Sequence, residues 1–225
     1  MKLLCIDTSS NTESVALVSD HQVVASLAKY RERGHASGLL SDIDALFREG
    51  GWTQTDIEGI AIGLGPGGFT SLRIGLSTAK CLAYGMDIPL YATTTLALIG
   101  ANFDERNVVT LIDAKRNEVY VHTPTAALQC VSPEHLDQYL SPGVPYFFCG
   151  DGAAKYRDTI QTTFSESRFN ETPEKDIPDA AKLAYLIDPS KPENLASLQP
   201  RYVRPSDAEI TYPDGFPDAV TQFQL

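Results

Sequence analysis

Gly59-Ile60-Ala61-Ile62-Gly63-Leu64, then Gly65-Pro66-Gly67-Gly68-Phe69-Thr70, then Ser71-Leu72-Arg73-Ile74-Gly75-Leu76-Ser77-Thr78-Ala79-Lys80-Cys81-Leu82-Ala83-Tyr84-Gly85: this stretch decides the fold. An uncharged apolar run reads as a buried strand, a Gly/Pro cluster as a tight turn, and the remainder as a helix that Gly85 can cap. Glycines let the backbone approach whatever lies opposite, and free N–H groups at a helix start attract anions. The loop has neither the P-loop spacing nor GxGxxG, so a phosphate cradle and a plain turn both stay open. Along the helix, Leu72, Leu76, Ala79 and Ala83 make one apolar stripe and Ile74, Thr78 and Cys81 a second. Gly75, Ser77 and Ala79 keep its surface low enough for another helix to come close. Such a helix is either a central core element or one that packs on its own body by one stripe and on a partner by the other.

Working outward, Leu3–Ile6, Ser14–Val18 and Gln22–Ala28 alternate with polar turns and predict a three-strand meander. The first strand ends in Asp7-Thr8-Ser9-Ser10, which is either a side-chain-bonded turn or a loop that places a carboxylate and hydroxyls near a metal-bound phosphate. After Arg33-Gly34-His35, an amphipathic helix puts Leu39, Leu40, Ile43, Leu46 and Phe47 on one face, with Ser41, Asp42, Asp44, Arg48 and Glu49 away from it. Gly50-Gly51 stops it. A helical metal site needs a second ligand one turn on. Gly38 and Leu39 stand there, so His35 alone cannot hold a metal.

Beyond the central helix, strands are expected at Ile88–Ala92, Val108–Ile112, Val119–His122 and Tyr146–Cys149. Helical segments are expected near Leu96–Phe103, Pro133–Leu140, Ala153–Phe164 and Pro178–Ile187, with Ser132 as an N-cap. Asp113, Lys115, Arg116 and Glu118 form a mixed-charge corner that reads as a solvated hairpin. Residues 166–176 read as a surface loop. From Pro189 onward periodicity vanishes, and 205–225 carries acids without a Lys or Arg, an acidic tail.

The chain of 225 residues has a net charge of −11, which argues against gripping nucleic acid through its phosphates; any such role would be indirect. Residues 1–112 hold 8 basic and 12 acidic groups and residues 113–225 hold 10 and 17, so the later half is the more acidic. Cys5, Cys81, Cys130 and Cys149 are far apart with no CxxC pair, which reads as buried free thiols in a reducing compartment. An acid at position 7 comes too soon for a signal peptide, and no apolar run is long enough for a bilayer. The expectation is a cytoplasmic protein with no membrane contact.

In order along the chain, Ile6-Asp7-Thr8-Ser9 with Ser14-Val15-Ala16-Leu17, Arg33-Gly34-His35, Gly65-Pro66-Gly67-Gly68-Phe69-Thr70-Ser71-Leu72-Arg73-Ile74-Gly75, Asp113-Ala114-Lys115-Arg116-Asn117-Glu118-Val119-Tyr120, and Pro200-Arg201-Tyr202-Val203-Arg204 resemble the bacterial TsaB (YeaZ) family of tRNA threonylcarbamoyladenosine biosynthesis proteins. Gly68 and Ser71 stand where that family more often has Ser and Gly, a small steric change. The resemblance implies an α/β, actin-like (ASKHA, ribonuclease H-like) fold of two lobes with mixed sheets, the second reduced: 1–104, 105–204, then the tail 205–225. Its enzyme relative TsaD carries an HxxxH metal pair and a complete ATP site. Here Leu39 stands one turn beyond His35, and no second-lobe glycine-rich phosphate loop followed by Asn is found. The implied protein has no catalytic residue, metal or cofactor of its own, with Asp7, Thr8 and Ser9 as remnants of a nucleotide site. It is a non-catalytic paralogue that binds TsaD, works with the TsaE ATPase, self-associates when alone and meets tRNA indirectly. The family's partner helices match Ser37–Arg48 and Thr70–Tyr84, which nominates Leu39, Ile43, Leu72, Gly75, Leu76, Ala79, Lys80 and Ala83 as interface residues. The alternatives are a metal-dependent peptidase-like hydrolase and an independent ATPase or sugar kinase of the actin-like class.

Overall fold

Leu3, Leu4, Cys5 and Ile6 have almost no solvent exposure, and around them a five-stranded mixed sheet assembles. In the computed structural model, which describes residues 1–31, 38–122 and 128–204, β1 (Lys2–Asp7), β2 (Thr12–Ser19) and β3 (Gln22–Tyr30) form an antiparallel meander. On the other side of β1, β4 (Gly59–Gly63) and then β5 (Leu90–Thr93) add in parallel, giving the order β3-β2-β1-β4-β5. Every residue of β4 is buried, as a parallel strand covered on both faces requires.

One face carries α1 (Leu39–Gly50) and α2 (Phe69–Met86), whose Leu39, Ile43, Leu46, Phe47, Leu76, Ala79 and Ala83 share a core with Leu4, Ile6, Val15 and Leu17. The other face carries Leu98 of α3 (Thr95–Gly100) together with Ala180, Ala181, Leu183 and Ala184.

A second sheet repeats this plan. β6 (Val108–Lys115), β7 (Glu118–His122) and β8 (Gln129–Val131) make the meander; β9 (Phe147–Cys149) and β10 (Arg168–Phe169) add in parallel, in the order β10-β9-β6-β7-β8. Counted within each sheet, both read third-second-first-fourth-fifth. This is the duplicated, actin-like arrangement, with the second copy reduced to strands of two and three residues at its edges. A 3-10 turn at Pro133–Gln138, α4 (Asp151–Lys155) and α5 (Arg157–Thr163) surround its core of Val109, Leu111, Phe148, Ile160 and Phe164. The opposite face leans on α3: Leu96 packs with Ala114 and Tyr120, and Ile99 with Phe147 and Cys149.

The differences from the sequence reading are local. Gly85 lies inside α2; the left-handed cap is Asp87, at φ 55°. The helix expected over 153–164 is two, broken at Tyr156, and the one over 178–187 is a 3-10 turn (Ala180–Lys182) running into α6 (Leu183–Leu186). The 133–140 helix is 3-10, and Ser132 makes no side-chain cap bond. β8 was not expected, and β10 lies in what read as loop. Asp42 points inward and is buried, ion-paired with Lys29 and Arg31 beside buried Glu13, which ties the start of α1 to β2 and β3. Residues 180–203, which the sequence groups with the second lobe, largely return to the first. There Ser14 Oγ accepts the Ala180 N–H at 2.9 Å, Leu90 carbonyl that of Glu193 at 2.7 Å, and Leu64 carbonyl that of Arg201 at 2.8 Å. The Arg33-Gly34-His35 reading and the tail 205–225 lie outside the described residues.

Candidate functional site

Between the lobes lies a cavity of about 520 Å³. Its walls are the β1–β2 turn (Ser9–Thr12), the glycine loop (Pro66–Phe69), α3, the β6–β7 hairpin including Asp113 and Lys115, Asp151, residues 176–178, and Arg204. An acid stands at or near the end of the first strand of each sheet, Asp7 closing β1 and Asp113 two residues before the end of β6, and each acid builds the same turn. Asp7 Oδ1 accepts the N–H of Ser9 at 3.0 Å, and Asp113 Oδ1 accepts the N–H of Lys115 at 3.0 Å, an i to i+2 side-chain turn in both cases.

From there the two diverge. Asp7, Thr8 and Ser9 are buried, and the Ser9 hydroxyl also donates to Asp7 Oδ1, at 2.6 Å. The glycine loop and α2 close over them. The Gly68 N–H donates to Ser9 carbonyl at 2.9 Å, and the Thr8 hydroxyl donates to Ser71 carbonyl at 2.8 Å. A Cβ at Gly63 would strike the Asp7 carboxylate, one at Gly67 the Ser9 carbonyl and one at Gly75 the Thr8 hydroxyl. These glycines therefore exist for close approach between two parts of the chain. The loop spends one of its N–H groups on Ser9, and Asp7, Thr8 and Ser9 sit beneath it.

Asp113 is met by ammonium groups instead. Oδ2 accepts from Lys115 Nζ at 2.8 Å and Lys155 Nζ at 2.9 Å, and Tyr156 OH donates to Oδ1 at 3.4 Å. Burial pushes this carboxyl up, but the hydrogen bonds from the two lysines outweigh it and hold the pKa down at about 2. A metal ion arriving here would have to displace two cations. Among the described residues no three His, Cys, Asp or Glu side chains gather closely enough to share one. The mixed-charge corner is a hairpin, with Lys115, Arg116 and Asn117 all at positive φ, and its Asp113 and Lys115 also form part of the cleft wall.

The solved structure described as an uncharacterized protein with similarity to peptidase YEAZ from Pseudomonas aeruginosa superposes with a TM-score of 0.76, at 25% identity over 90% of this chain and 99% of that one. The tRNA threonylcarbamoyladenosine biosynthesis protein TsaB of Bacillus subtilis (strain 168) is 28% identical over 94% of this chain and 98% of its own length. Over most of its length the chain is similar to proteins named TsaB and YeaZ. The TsaB of Escherichia coli (strain K12) is 36% identical over 124 residues, 53% of each chain, so the likeness to that member spans about half its length. Residues 23–132 also match the family model described as TsaD, tRNA N6-adenosine threonylcarbamoyltransferase.

The residues nominated as a TsaB-type partner surface divide by direction. Leu39, Ile43, Leu72, Gly75, Leu76, Ala79 and Ala83 are buried by their own lobe, while Lys80 is half-buried and donates to Leu198 carbonyl at 3.1 Å. A partner cannot touch the first seven while this core persists. What α2 shows to solvent is Thr70, Arg73, Ser77, Cys81, Tyr84 and Gly85, with Ile74 and Thr78 half-buried between them; α1 shows Leu40 and Ala45 among polar Ser41, Asp44, Arg48 and Glu49. Tyr84 is 82% and Leu40 62% exposed. Periodicity found two stripes; which one faced inward depended on the sheet, and the second stripe is the outer one. Cys81 is correspondingly exposed and Cys130 half-buried, against the expectation of four buried thiols. Cys5 and Cys149 are buried, which pushes the Cys149 pKa up to about 12. No helix among the described residues is long and apolar enough to cross a membrane.

Proposed function

We propose that this chain is a non-catalytic subunit in tRNA threonylcarbamoyladenosine biosynthesis, which presents the outer faces of α1 and α2 to a TsaD-like catalytic subunit and works alongside a TsaE-like ATPase. One observation carries the reading: the acids at the cleft are already engaged by the chain's own groups, buried Asp7 by Ser9 under the glycine loop and, in the cavity wall, Asp113 by two lysines, Asp151 by the Asp113 N–H and Asp176 by the Gly150 N–H. A cleft so arranged is poorly suited to clasp a metal-bound phosphate, and the chain's contribution shifts to its surface. On α2, exposed Tyr84 among small Ser77, Cys81 and Gly85 lets a second helix approach closely, which is what helix-on-helix docking requires, and α1 adds exposed Leu40. A second copy of the chain fits the same face when the partner is absent, and tRNA is then reached through the catalytic subunit, consistent with the net charge of −11.

Mixing the purified chain with a TsaD-like protein and following the complex by size-exclusion chromatography tests this. Ser77→Arg and Tyr84→Ala should each weaken association at least about tenfold and leave folding intact. Undiminished association by both variants, or ATP hydrolysis and stoichiometric metal binding by the lone chain, would count against the proposal.

A further inference from the structure

Between Leu186 and Arg204 the chain has no helix or strand, yet it is bound at nearly every turn. Leu195 and Leu198 pack on the core beneath α2, and the carbonyl of Leu198 takes the Lys80 ammonium. Farther on, the contacts change lobes within four residues. The Arg201 N–H donates to Leu64 carbonyl, at the mouth of the glycine loop, at 2.8 Å. Tyr202 stacks on Phe69, the first residue of α2, with ring centroids 4.8 Å apart, and its hydroxyl accepts from Arg73 Nε at 2.8 Å. Val203 packs in the pocket of Leu96, Ala114 and Tyr120, and Arg204 Nη1 donates to Ala114 carbonyl at 2.9 Å and reaches Glu118 at 3.5 Å. Residues 201 and 202 hold the first lobe; residues 203 and 204 hold the hairpin of the second. Arg204 and Phe69 both line the cavity between them.

We infer that residues 201–204 are a latch across the two lobes, with Tyr202 on α2 and Arg204 on the β6–β7 hairpin as its two ends, so that the start of α2 and the far wall of the cleft are held by one short piece of chain. Tyr202 is 39% exposed, and its partner Arg73 lies on the solvent side of α2, so this end can be undone without opening the core. Any molecule that engages Arg73 competes with Tyr202 and loosens the grip on the hairpin. This inference needs no particular partner and stands or falls apart from the proposed function, because it is read in the lone chain.

Hydrogen exchange of the full chain tests it. In the double variant Tyr202→Ala/Arg204→Ala, exchange should rise roughly tenfold in both the 64–72 loop and helix start and the 113–120 hairpin, while β2 stays protected. Faster exchange confined to 200–204, or to one lobe only, overturns the latch. Should the double variant fail to fold, Tyr202→Phe, which keeps the ring stack and deletes the bond to Arg73, should give about a two- to threefold rise in the same two segments. No change in either overturns the inference equally.

Discussion

The two lobes share one strand order and one acid-initiated turn, yet solve the same local problem by different means. In the first lobe, glycines at 63, 67 and 75 remove side chains so that the loop and helix sit directly on Asp7, Thr8 and Ser9. In the second, Asp113 remains near the surface and is neutralised by Lys115 and Lys155. One acid is hydrogen-bonded and packed over, the other clasped by ammonium groups. Packing is unforgiving of volume, whereas a charge clasp depends on pH. The repeated topology thus leaves two sites with different failure modes, and each can be provoked separately.

The largest effect should come from α2 itself. Ala79 has no exposure, and Ala79→Glu would bury a carboxylate with no cation built to meet it. A loss of at least about 4 kcal/mol is expected, enough to abolish a cooperative urea transition. Ser77→Glu, two residues away and exposed, should stay within about 0.5 kcal/mol of the parent. Equal behaviour of the two would mean that the inner and outer stripes are wrongly divided.

Next is Gly67→Ala. The added methyl meets a backbone oxygen, which cannot step aside as a flexible side chain can. A cost of about 2–3 kcal/mol in urea denaturation is expected. Its second-lobe analogue for close approach is Gly150, at φ 92°, where a Cβ would meet Leu111 carbonyl; Gly150→Ala should be at least as damaging.

Much of the first lobe was legible in sequence because its signals are long. Strands of six, eight and nine residues joined by polar turns, and an 18-residue helix after a glycine loop, carry enough periods to be read one at a time. The second lobe was harder. β10 is two residues long and β8 three, too short for alternation to show. Its strand order became visible only once pairing was known. Residues 180–203 were assigned by proximity in sequence, while their attachment runs through Ser14, Leu64 and Leu90, more than 90 positions upstream. The buried Asp42 was misplaced because helical periodicity knows nothing of Lys29 and Arg31 on the neighbouring strand. Asp113 of the cleft wall and Asp7, buried beneath the glycine loop, were both singled out. The signal that could have paired them is the repetition of an acid at the end of an apolar strand followed by a hairpin.

Asp113 supplies the charge-based counterpart. Its carboxyl titrates at about 2 in the folded chain, against roughly 4 when unfolded. A depressed folded pKa means the stabilisation is present above the unfolded value and is lost as pH falls from about 4 to about 2. With discount for the exposed lysines, it amounts to about 1–2 kcal/mol. Asp113→Asn should therefore lower stability by that amount at pH 7 and by almost nothing at pH 2, so the parent and variant curves converge on acidification. Convergence absent, the lysine clasp is not what holds this turn.

The smallest expected effect is a gain, and it bears on how α2 ends. Gly85 looked like a cap because glycine tolerates positive φ, yet Asp87 takes the left-handed position and Gly85 sits a residue inside the helix end. Nothing lies within 4 Å of a Cβ placed at Gly85, and the site is exposed. Replacing it with Ala removes backbone freedom from the unfolded chain without cost in the folded one, so Gly85→Ala should stabilise by about 0.5–1 kcal/mol in urea denaturation. Were Gly85 the cap, the same change would force Ala to positive φ and destabilise by a similar amount. The sign alone decides. It also sharpens the contrast between two kinds of glycine: at 67 a neighbour requires it, whereas at 85 the folded chain asks nothing of it.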